Sequence, residues 1–235
     1  MMDEKQSETR ERLRKSNLSG AICTSPPPNI TWKNTGRSVG AVNYAEVLQG
    51  SCDDCYFLAA LISIAYRASN LLKVYPNYSF YDTIGNAWSP SFAINQDLAV
   101  DSSNQNNLVY AKTISGNVWP SLYEKAYAMW ANNNLTNNNP SMSKICGGGN
   151  ALNALKQITG KTPTNGWPPF VAPTGMAQYP TVVDTKSTAS TLTPNHAYAV
   201  LKYSGGKYYL YNPCGGSSTV TITNTSDLSD WGYIK

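Results

Sequence analysis

One cysteine in this sequence, Cys55, is placed where it could act as a nucleophile. Cys55 stands where a largely apolar stretch of helical length starts, within QGSCDDCYFLAALISIAYRASN. The unpaired N–H groups and the positive macrodipole end at a helix start stabilise a thiolate, the nucleophilic form of cysteine. We therefore predict an activated nucleophile at Cys55. A cysteine packed under the helix is the alternative, and a partner base decides between them.

A base for this cysteine can come from one place, because His196 is the sole histidine in the chain. His196 opens an alternating stretch, HAYAVLKY, that is typical of a β-strand. A lone histidine is usually a surface or satisfied core residue, but its occurrence after a cysteine on a helix start favours a Cys–His site. Asn212, in YLYNPCGG, is placed to hold the imidazole in one tautomer.

The hairpin between His196 and Asn212 imposes a geometric condition. If it turned on Gly205-Gly206 alone, Asn212 would face away from His196. A three-residue loop that includes Ser204 changes the register, so that Tyr198 opposes Asn212. His196 then lies diagonally on the same face, with backbones roughly 7–8 Å apart. The triad therefore predicts the three-residue loop.

Acyl transfer also needs donors for the oxyanion that develops on the attacked carbonyl. Gln49, six positions before Cys55, can contribute a side-chain amide beside the Cys55 backbone N–H. A glutamine in a turn is more often simply solvated, so this residue by itself is a weak signal.

Three separated stretches resemble the calpain family of papain-fold cysteine proteases. QGSCDDCYFLAAL resembles the family's Q-G-x-x-x-D-C-W-F-L-A-A, and VWPSLYEKAYAMW resembles W-x-x-L-L-E-K-A-Y-A. NHAYAVLKY and YNPCGG resemble G-H-A-Y-x-V and N-P-W-G. The resemblance implies a peptidase in which Cys55 attacks and His196 acts first as base and then as acid. It also implies that Asn212 orients the histidine and that Gln49 serves the oxyanion hole.

The sequence departs from the family pattern near these residues. Tyr56 stands where the family usually has Trp, Cys214 replaces the Trp after Asn-Pro, and Asn195 replaces the Gly before His. The segment between His196 and Asn212 is also short. Loss of the Trp beside Asn212 removes a hydrophobic screen over the His–Asn hydrogen bond, so we expect modest activity.

The resemblance also implies a calcium ion, with Glu46 and Glu124 at the positions of acidic ligands. Calcium takes six to eight oxygens, and two carboxylates are few, although carbonyls near Leu48 and Gly50 could join. The alternative role for Glu124 is a side-chain interaction with a neighbouring residue on the same helix. No other cofactor is expected to be required.

The order of elements predicts an α+β fold of the papain-like two-part type. We expect residues 1–35 to be a mobile tail with a Pro-rich spacer and residues 36–235 to be one catalytic domain. In that domain, residues 36–165 are predicted to be mainly helical and residues 166–235 to form an antiparallel β part, with the active-site cleft between them.

Three helices are predicted inside the first part. One follows the Asp53-Asp54 pair, which is suited to N-capping, and is apolar nearly all round, so it should be buried. A second has Pro120 near its first turn. A third should be capped by Asn150 and end at Gly160.

Composition limits the partners. The net charge is +4, charged residues make up 14% of the chain, and basic residues form no coherent stripe, so nucleic acid is not expected. No apolar run is long enough to span a bilayer, and the first residues lack the apolar core of a signal peptide. We expect a monomer acting on proteins or peptides. Free thiol chemistry slightly favours the cytoplasm, while the low-charge Asn, Ser and Thr surface is also common outside cells.

Other functions remain open at this stage. Cys52-x-x-Cys55 at a helix start could mark a thiol-disulfide oxidoreductase, although no apolar strand leads into it. The replaced Trp positions could mark a binding module that keeps the protease fold without catalysis. An acyltransferase could use the same triad, because hydrolysis and transfer differ in what resolves the thioester.

The catalytic assignment predicts a ranked set of losses. Cys55→Ala and His196→Ala should abolish turnover of a peptide substrate, whereas Asn212→Ala should reduce it less, because the orienting residue takes no part in bond making. Rates measured for the purified variants test the order. Normal proteolysis by Cys55→Ala would overturn the assignment.

Overall fold

The computed structural model describes residue 23 and residues 25–82, 89–166, 178–215 and 219–235. Over these residues the chain has three α-helices. They are α1 (Cys55–Arg67), α2 (Trp119–Ala131) and α3 (Ala151–Thr159). None of these helices combines the length and apolar character needed to cross a membrane.

Twelve strands accompany these helices in the described ranges. Six short ones precede α2: β1 (Ile30–Asn34), β2 (Val47–Leu48), β3 (Asn77–Tyr78), β4 (Phe92–Ala93), β5 (Asp97–Asp101) and β6 (Lys112–Thr113). Six follow α3: β7 (Thr164–Gly166), β8 (Thr181–Thr185), β9 (Ala197–Ser204), β10 (Lys207–Tyr211), β11 (Thr219–Ile222) and β12 (Leu228–Tyr233). The first group forms three two-stranded sheets, and the second forms one antiparallel sheet in the order β11-β10-β9-β8-β12-β7.

Helix α1 forms the centre of the main core. Its first ten residues, Cys55 to Ile64, are all buried, as the apolar sequence predicts. Burying one large aliphatic side chain contributes about 1.5–3 kcal/mol, so this run is a major source of stability. The helix packs against α3 and against strands β8 and β9 of the large sheet. The helix that starts at Cys55 therefore lies directly on the strand that follows His196.

The two faces of β9 enter different cores. Ala197, Ala199 and Leu201 pack into the core that contains α1, whereas Tyr198 and Val200 join a second cluster on the opposite side of the sheet. This alternation is the period-2 pattern read from HAYAVLKY. Because both faces are covered, a slip of the strand by one residue would exchange the two sets of side chains.

The mixed helix and strand content confirms the α+β class. The region predicted to be mainly helical also contains short strands, because β2 pairs with β6 and β3 with β4. Part of the predicted N-terminal spacer differs from expectation, since β1 pairs with β5 along its whole length. The rest of the tail prediction concerns residues 1–22 and 24, which lie outside the described residues.

The turn of the β9–β10 hairpin differs from the predicted loop. Ser204 pairs with Lys207, so the loop consists of Gly205 and Gly206 alone. Both glycines have positive φ angles, 58° and 74°, as the two central residues of a tight hairpin turn require. The prediction of a three-residue loop is therefore wrong.

A bulge further along the hairpin nevertheless produces the register that the triad requires. Lys202 pairs with Tyr209, but the next pair is Val200 with Leu210, so Leu201 is the extra residue on β9. A bulge of this kind shifts all later pairs by one position. Beyond it the hairpin has the register predicted for His196 and Asn212, reached by a different route.

Gly160 gives a stability prediction. It ends α3 with φ of 72°, and a Cβ there would overlap the Tyr81 ring, so Gly160→Ala should lose about 2–3 kcal/mol through strain and overlap. Gly116 is a matched control, because its φ is 85° but a Cβ would meet nothing within 4 Å. Urea unfolding should show the smaller loss for Gly116→Ala. Equal losses would contradict the role assigned to the Tyr81 contact.

Candidate active site

The histidine and the asparagine predicted from the sequence meet in the structure. His196 Nε2 lies 2.8 Å from Asn212 Oδ1. The same oxygen accepts the backbone N–H of Cys214 at 2.9 Å, which fixes the orientation of the amide, because the NH2 end could not accept that bond. Nε2 therefore faces an acceptor and must carry the proton. The lone pair of the imidazole is then on Nδ1, and Nδ1 is buried with no hydrogen-bond partner among the described residues.

The backbone of His196 is held by Thr185 at the end of β8. The Thr185 hydroxyl accepts the His196 N–H at 2.9 Å, and the Thr185 N–H donates to the His196 carbonyl at 2.9 Å. Sequence reasoning missed this residue, because one threonine in an alternating strand looks like any other. The hydroxyl at this position anchors the histidine.

The loop before His196 is fastened by a second residue that sequence reasoning missed. One carboxylate oxygen of Asp227 accepts the backbone N–H groups of Ser190, Thr191 and Leu192, at 3.2, 2.7 and 2.9 Å. These bonds, that to Leu192 first, lower the pKa of Asp227. The aspartate therefore remains charged and holds the approach to the histidine in one conformation.

Cys55 is the first residue of α1 and lies against the strand that follows His196. It is 5% exposed, and the nearby Ala197 backbone opposes part of the rise in its pKa. Ala197 is the residue next to His196, which is itself 2% exposed. The structure therefore brings the predicted nucleophile to the chain segment that carries the predicted base.

The electrostatics of the pair differ from the sequence-based expectation. Burial raises the pKa of the Cys55 thiol far above its usual range, and the nearby Asp53, Asp184 and Asp54 charges raise it further. Burial also lowers the pKa of His196, while the bond to Asn212 partly offsets this effect. The helix start does not produce a resting thiolate here, because desolvation outweighs it. Both shifts favour the neutral form of the group concerned.

The acidic residue before Cys55 does not cap the helix as predicted. Asp54 occupies the N-cap position, but its side chain makes no capping hydrogen bond. The carboxyl is fully buried near Glu124 of α2 instead. Burial, followed by the Glu124 charge, raises the pKa of Asp54 well above its ordinary value, and burial raises that of Glu124 to about 7. Two carboxyl groups this close share protons rather than both ionising.

Gln49 is buried beside the nucleophile turn, with 3% exposure. Its side-chain amide donates to the Cys52 carbonyl at 2.7 Å, and its backbone N–H donates to the Pro213 carbonyl at 2.9 Å. The residue after it must be glycine, because a Cβ on Gly50 would overlap the carbonyl oxygens of Val109 and Tyr110. Gln49 is thus fixed between the Cys55 turn and the Asn212 turn.

All five cysteines lie within the described residues, and four of them form disulfides. Cys23 is bonded to Cys214 and Cys52 to Cys146, which leaves Cys55 as the free thiol. Cys52 is therefore unavailable for the redox pairing with Cys55 that the C-x-x-C spacing suggested. The one cysteine without a disulfide partner is therefore the candidate nucleophile.

The two acidic residues named for calcium are held apart by different contacts. Glu46 accepts the Ser115 hydroxyl at 2.7 Å, whereas Glu124 accepts the Ala111 N–H at 2.9 Å. The close group of possible metal ligands in the described chain contains Glu124, Asp54 and the disulfide-bonded Cys52, but not Glu46. Two carboxylates supply too few oxygens for calcium. These residues do not fit a calcium site built on Glu46 and Glu124, and no catalytic step is derived through one.

A cavity of about 830 Å³ lies beside the turn at Asp53 and Asp54 that precedes Cys55. Its lining includes Tyr56, Tyr127, Trp130 and the Gly147-Gly148 backbone, but neither Cys55 nor His196. The Gly148 N–H donates to the Asp53 carbonyl at 3.0 Å, so this wall is attached directly to the nucleophile turn.

Comparison with known families identifies the family of the chain. A family model described as calpain family cysteine protease matches residues 23–210. The chain belongs to the calpain family of cysteine proteases. The matched span of this calpain-family chain contains Gln49, Cys55 and His196 and ends two residues before Asn212. It also confirms the family resemblance noted from the three sequence stretches.

The pKa of His196 gives a direct test of the site's electrostatics. In Cys55→Ala, NMR titration of the only imidazole should give a midpoint below 6.5, because burial disfavours the charged ring. The hydrogen bond to Asn212 raises the pKa of His196. Asn212→Ala in the same background removes this bond and should therefore lower the midpoint further. A midpoint at or above 6.5 would contradict the burial argument.

The same shift has a consequence for stability. A histidine whose folded pKa lies below its unfolded value destabilises the fold as pH falls through about 6.5, because the unfolded chain binds the proton more readily. In the Cys55→Ala background, adding His196→Gln should remove this part of the pH dependence. Urea unfolding of the two proteins between pH 5 and 7 measures the difference.

Proposed function

We propose that this calpain-family chain is a cysteine endopeptidase that works through Cys55, His196 and Asn212 with a covalent thioester intermediate. The observation that carries the proposal is the arrangement of the histidine. Nε2 is held by Asn212 at 2.8 Å, Nδ1 has no described partner, and the helix that starts at Cys55 packs on the strand that follows His196. This is the base, orienter and nucleophile order of a Cys–His–Asn site.

Proton transfer and bond formation are coupled in this mechanism. His196 Nδ1 takes the Cys55 proton while the sulfur attacks the peptide carbonyl carbon. The attack gives a tetrahedral intermediate with a negative oxygen and a protonated imidazole. Because both resting groups are neutral, the proton moves as the C–S bond forms rather than beforehand. Asn212 keeps the Nε2 proton in place, so that Nδ1 alone exchanges protons.

Collapse of the intermediate breaks the C–N bond. The Nδ1 proton goes to the leaving amine, and a thioester remains on Cys55. Water then attacks the thioester, with Nδ1 as base, and the acid product leaves with regeneration of the thiol. We assign oxyanion binding to the Cys55 backbone N–H and the Gln49 side-chain amide, which the Cys52 carbonyl holds beside it.

The substrate cleft is proposed to lie between the helical part, residues 36–165, and the sheet part, residues 166–235, as in a papain-like fold. This placement is supported by the origin of the site residues. Cys55 and Gln49 come from the first part, and His196 and Asn212 come from the second. A peptide bound across the boundary would meet both halves of the machinery.

The disulfides support action in an oxidising compartment. Disulfides persist outside the reducing cytosol, and each typically stabilises a fold by about 2–4 kcal/mol. Cys23–Cys214 and Cys52–Cys146 are both next to site residues. We therefore propose that the chain works outside the reducing cytosol rather than within it.

A non-catalytic binding module is the second candidate, and one observation favours it. The 5% exposure of Cys55 and its raised pKa describe a thiol that is unreactive at rest. If the buried pair never opens to a substrate, the fold serves binding alone.

Labelling with a biotinylated epoxysuccinyl inhibitor tests the proposal. The native chain should be modified at Cys55 alone, because the other four cysteines are in disulfides. His196→Ala should prevent labelling, and fluorescent casein should be degraded by the native chain but not by Cys55→Ala. Labelling with EDTA or with added calcium should be equal, since the described acidic residues do not form a calcium site.

The outcomes separate the candidates. Labelling together with casein degradation supports the endopeptidase. Absence of both, in a protein that is folded by circular dichroism, overturns it in favour of the binding module. Labelling that requires calcium would restore the metal as a regulator.

A further inference from the structure

The turn that follows the orienting asparagine touches both halves of the candidate machinery. The Cys214 N–H donates to Asn212 Oδ1 at 2.9 Å, and the Pro213 carbonyl accepts the Gln49 N–H at 2.9 Å. The Cys214 sulfur also lies 4.0 Å from Gln49 Oε1. A displacement of residues 213–215 would therefore disturb the orienter and the proposed oxyanion donor together.

This turn lies outside the ladder of the large sheet. Pairing of β10 ends at Tyr211, and β11 begins at Thr219. Within the turn, the Gly215 N–H also donates to the Asn212 carbonyl at 3.1 Å. Asn212 thus sits where strand pairing has ended, although its amide must be fixed to hold one imidazole tautomer.

A disulfide supplies a covalent anchor at this point. Cys214 is bonded to Cys23, 191 residues away in sequence. Soon after Cys23 the chain enters β1, which pairs with β5 from Ile30 to Asn34. The disulfide therefore joins the turn to a segment that is itself attached to the first part of the fold.

We propose that the Cys23–Cys214 disulfide is a positioning element of the active site, which holds Asn212 and through it the Nε2–H tautomer of His196. At this position the family pattern has a bulky Trp, and cysteine alone is too small to cover the His–Asn bond. The disulfide fixes the turn beside Asn212 through a covalent bond, whereas a large side chain would fix it by packing. The effect on catalysis rests on the proposed function, whereas the effect on the histidine does not.

The two disulfides differ in access, which allows one to be opened first. Cys23 and Cys214 are both partly exposed, whereas Cys52 is 0% exposed. A dithiol reductant should therefore reduce Cys23–Cys214 first. In that step the S–S bond is replaced by two cysteine thiols, and the dithiol is oxidised to its cyclic disulfide.

The test uses the single histidine as a spectroscopic reporter. In 15N-labelled native chain, the His196 Nε2–H proton should give one downfield signal that exchanges slowly with water. In the double variant Cys23→Ser with Cys214→Ser, we expect exchange at least tenfold faster and a kcat about tenfold lower, with KM within twofold. Cys23→Ser with Cys214→Trp should recover most of the slow exchange by packing.

A control separates positioning from general loss of stability. The native chain is measured in the urea concentration that lowers its unfolding free energy to that of the double serine variant. Its Nε2–H exchange should remain slow, because its disulfide still holds the turn. Equal exchange in the two samples would show that the disulfide acts through stability alone and would overturn the proposal.

A second measurement covers a variant that fails to fold. Native chain is treated with dithiothreitol, and mass spectrometry after alkylation identifies the stage at which only Cys23 and Cys214 are modified. Faster Nε2–H exchange at this stage supports the proposal, and unchanged exchange overturns it. If the native chain shows no peptidase activity but the exchange result holds, the proposed function fails and the positioning role stands.

Discussion

The site depends on one oxygen atom with two donors. Asn212 Oδ1 accepts from the imidazole of His196 and from the backbone of Cys214, and the second bond makes the first unambiguous. Without the backbone donor the amide could rotate and present its NH2 group to the ring. The neutral imidazole would then carry its proton on Nδ1, and Nδ1 would change from a proton acceptor to a donor. The tautomer of His196 is thus decided by the turn that contains Cys214.

Much of the site could be predicted from the sequence because it depends on local patterns. The helix that starts at Cys55, the strand that follows His196 and the asparagine-capped α3 all follow from spacing and end signals. The hairpin shows where such reasoning fails. Its glycine pair forms a two-residue turn. The register that places His196 and Asn212 on one face comes from a bulge at Leu201, and no residue type in the sequence predicts that bulge. Bulges arise from how a strand packs on its neighbours, and that information is not local.

Two other features could not be read locally. Asp54 stands in a capping position, yet its carboxyl is buried beside Glu124, a residue from another helix. The disulfide pairing could not be predicted from the sequence either, because five cysteines permit many connectivities. One disulfide joins cysteines that are 191 positions apart in sequence, and the other joins cysteines that are 94 positions apart. Contacts between distant segments also reversed the electrostatic expectation at Cys55. The macrodipole favours a thiolate, but burial and three nearby aspartates oppose it.

Protonation of Cys55 also bears on the durability of the molecule. Oxidants react with the thiolate form of cysteine, and the same form attacks disulfides. A thiol of raised pKa with 5% exposure presents little thiolate. The remaining cysteines are already joined in pairs, so an oxidising medium has no other sulfhydryl to modify. Desolvation of the Cys55 thiol therefore also protects it from sulfenic acid formation and from mixed disulfides. In the proposed mechanism the thiol reacts when a carbonyl carbon lies against the sulfur and the imidazole accepts its proton.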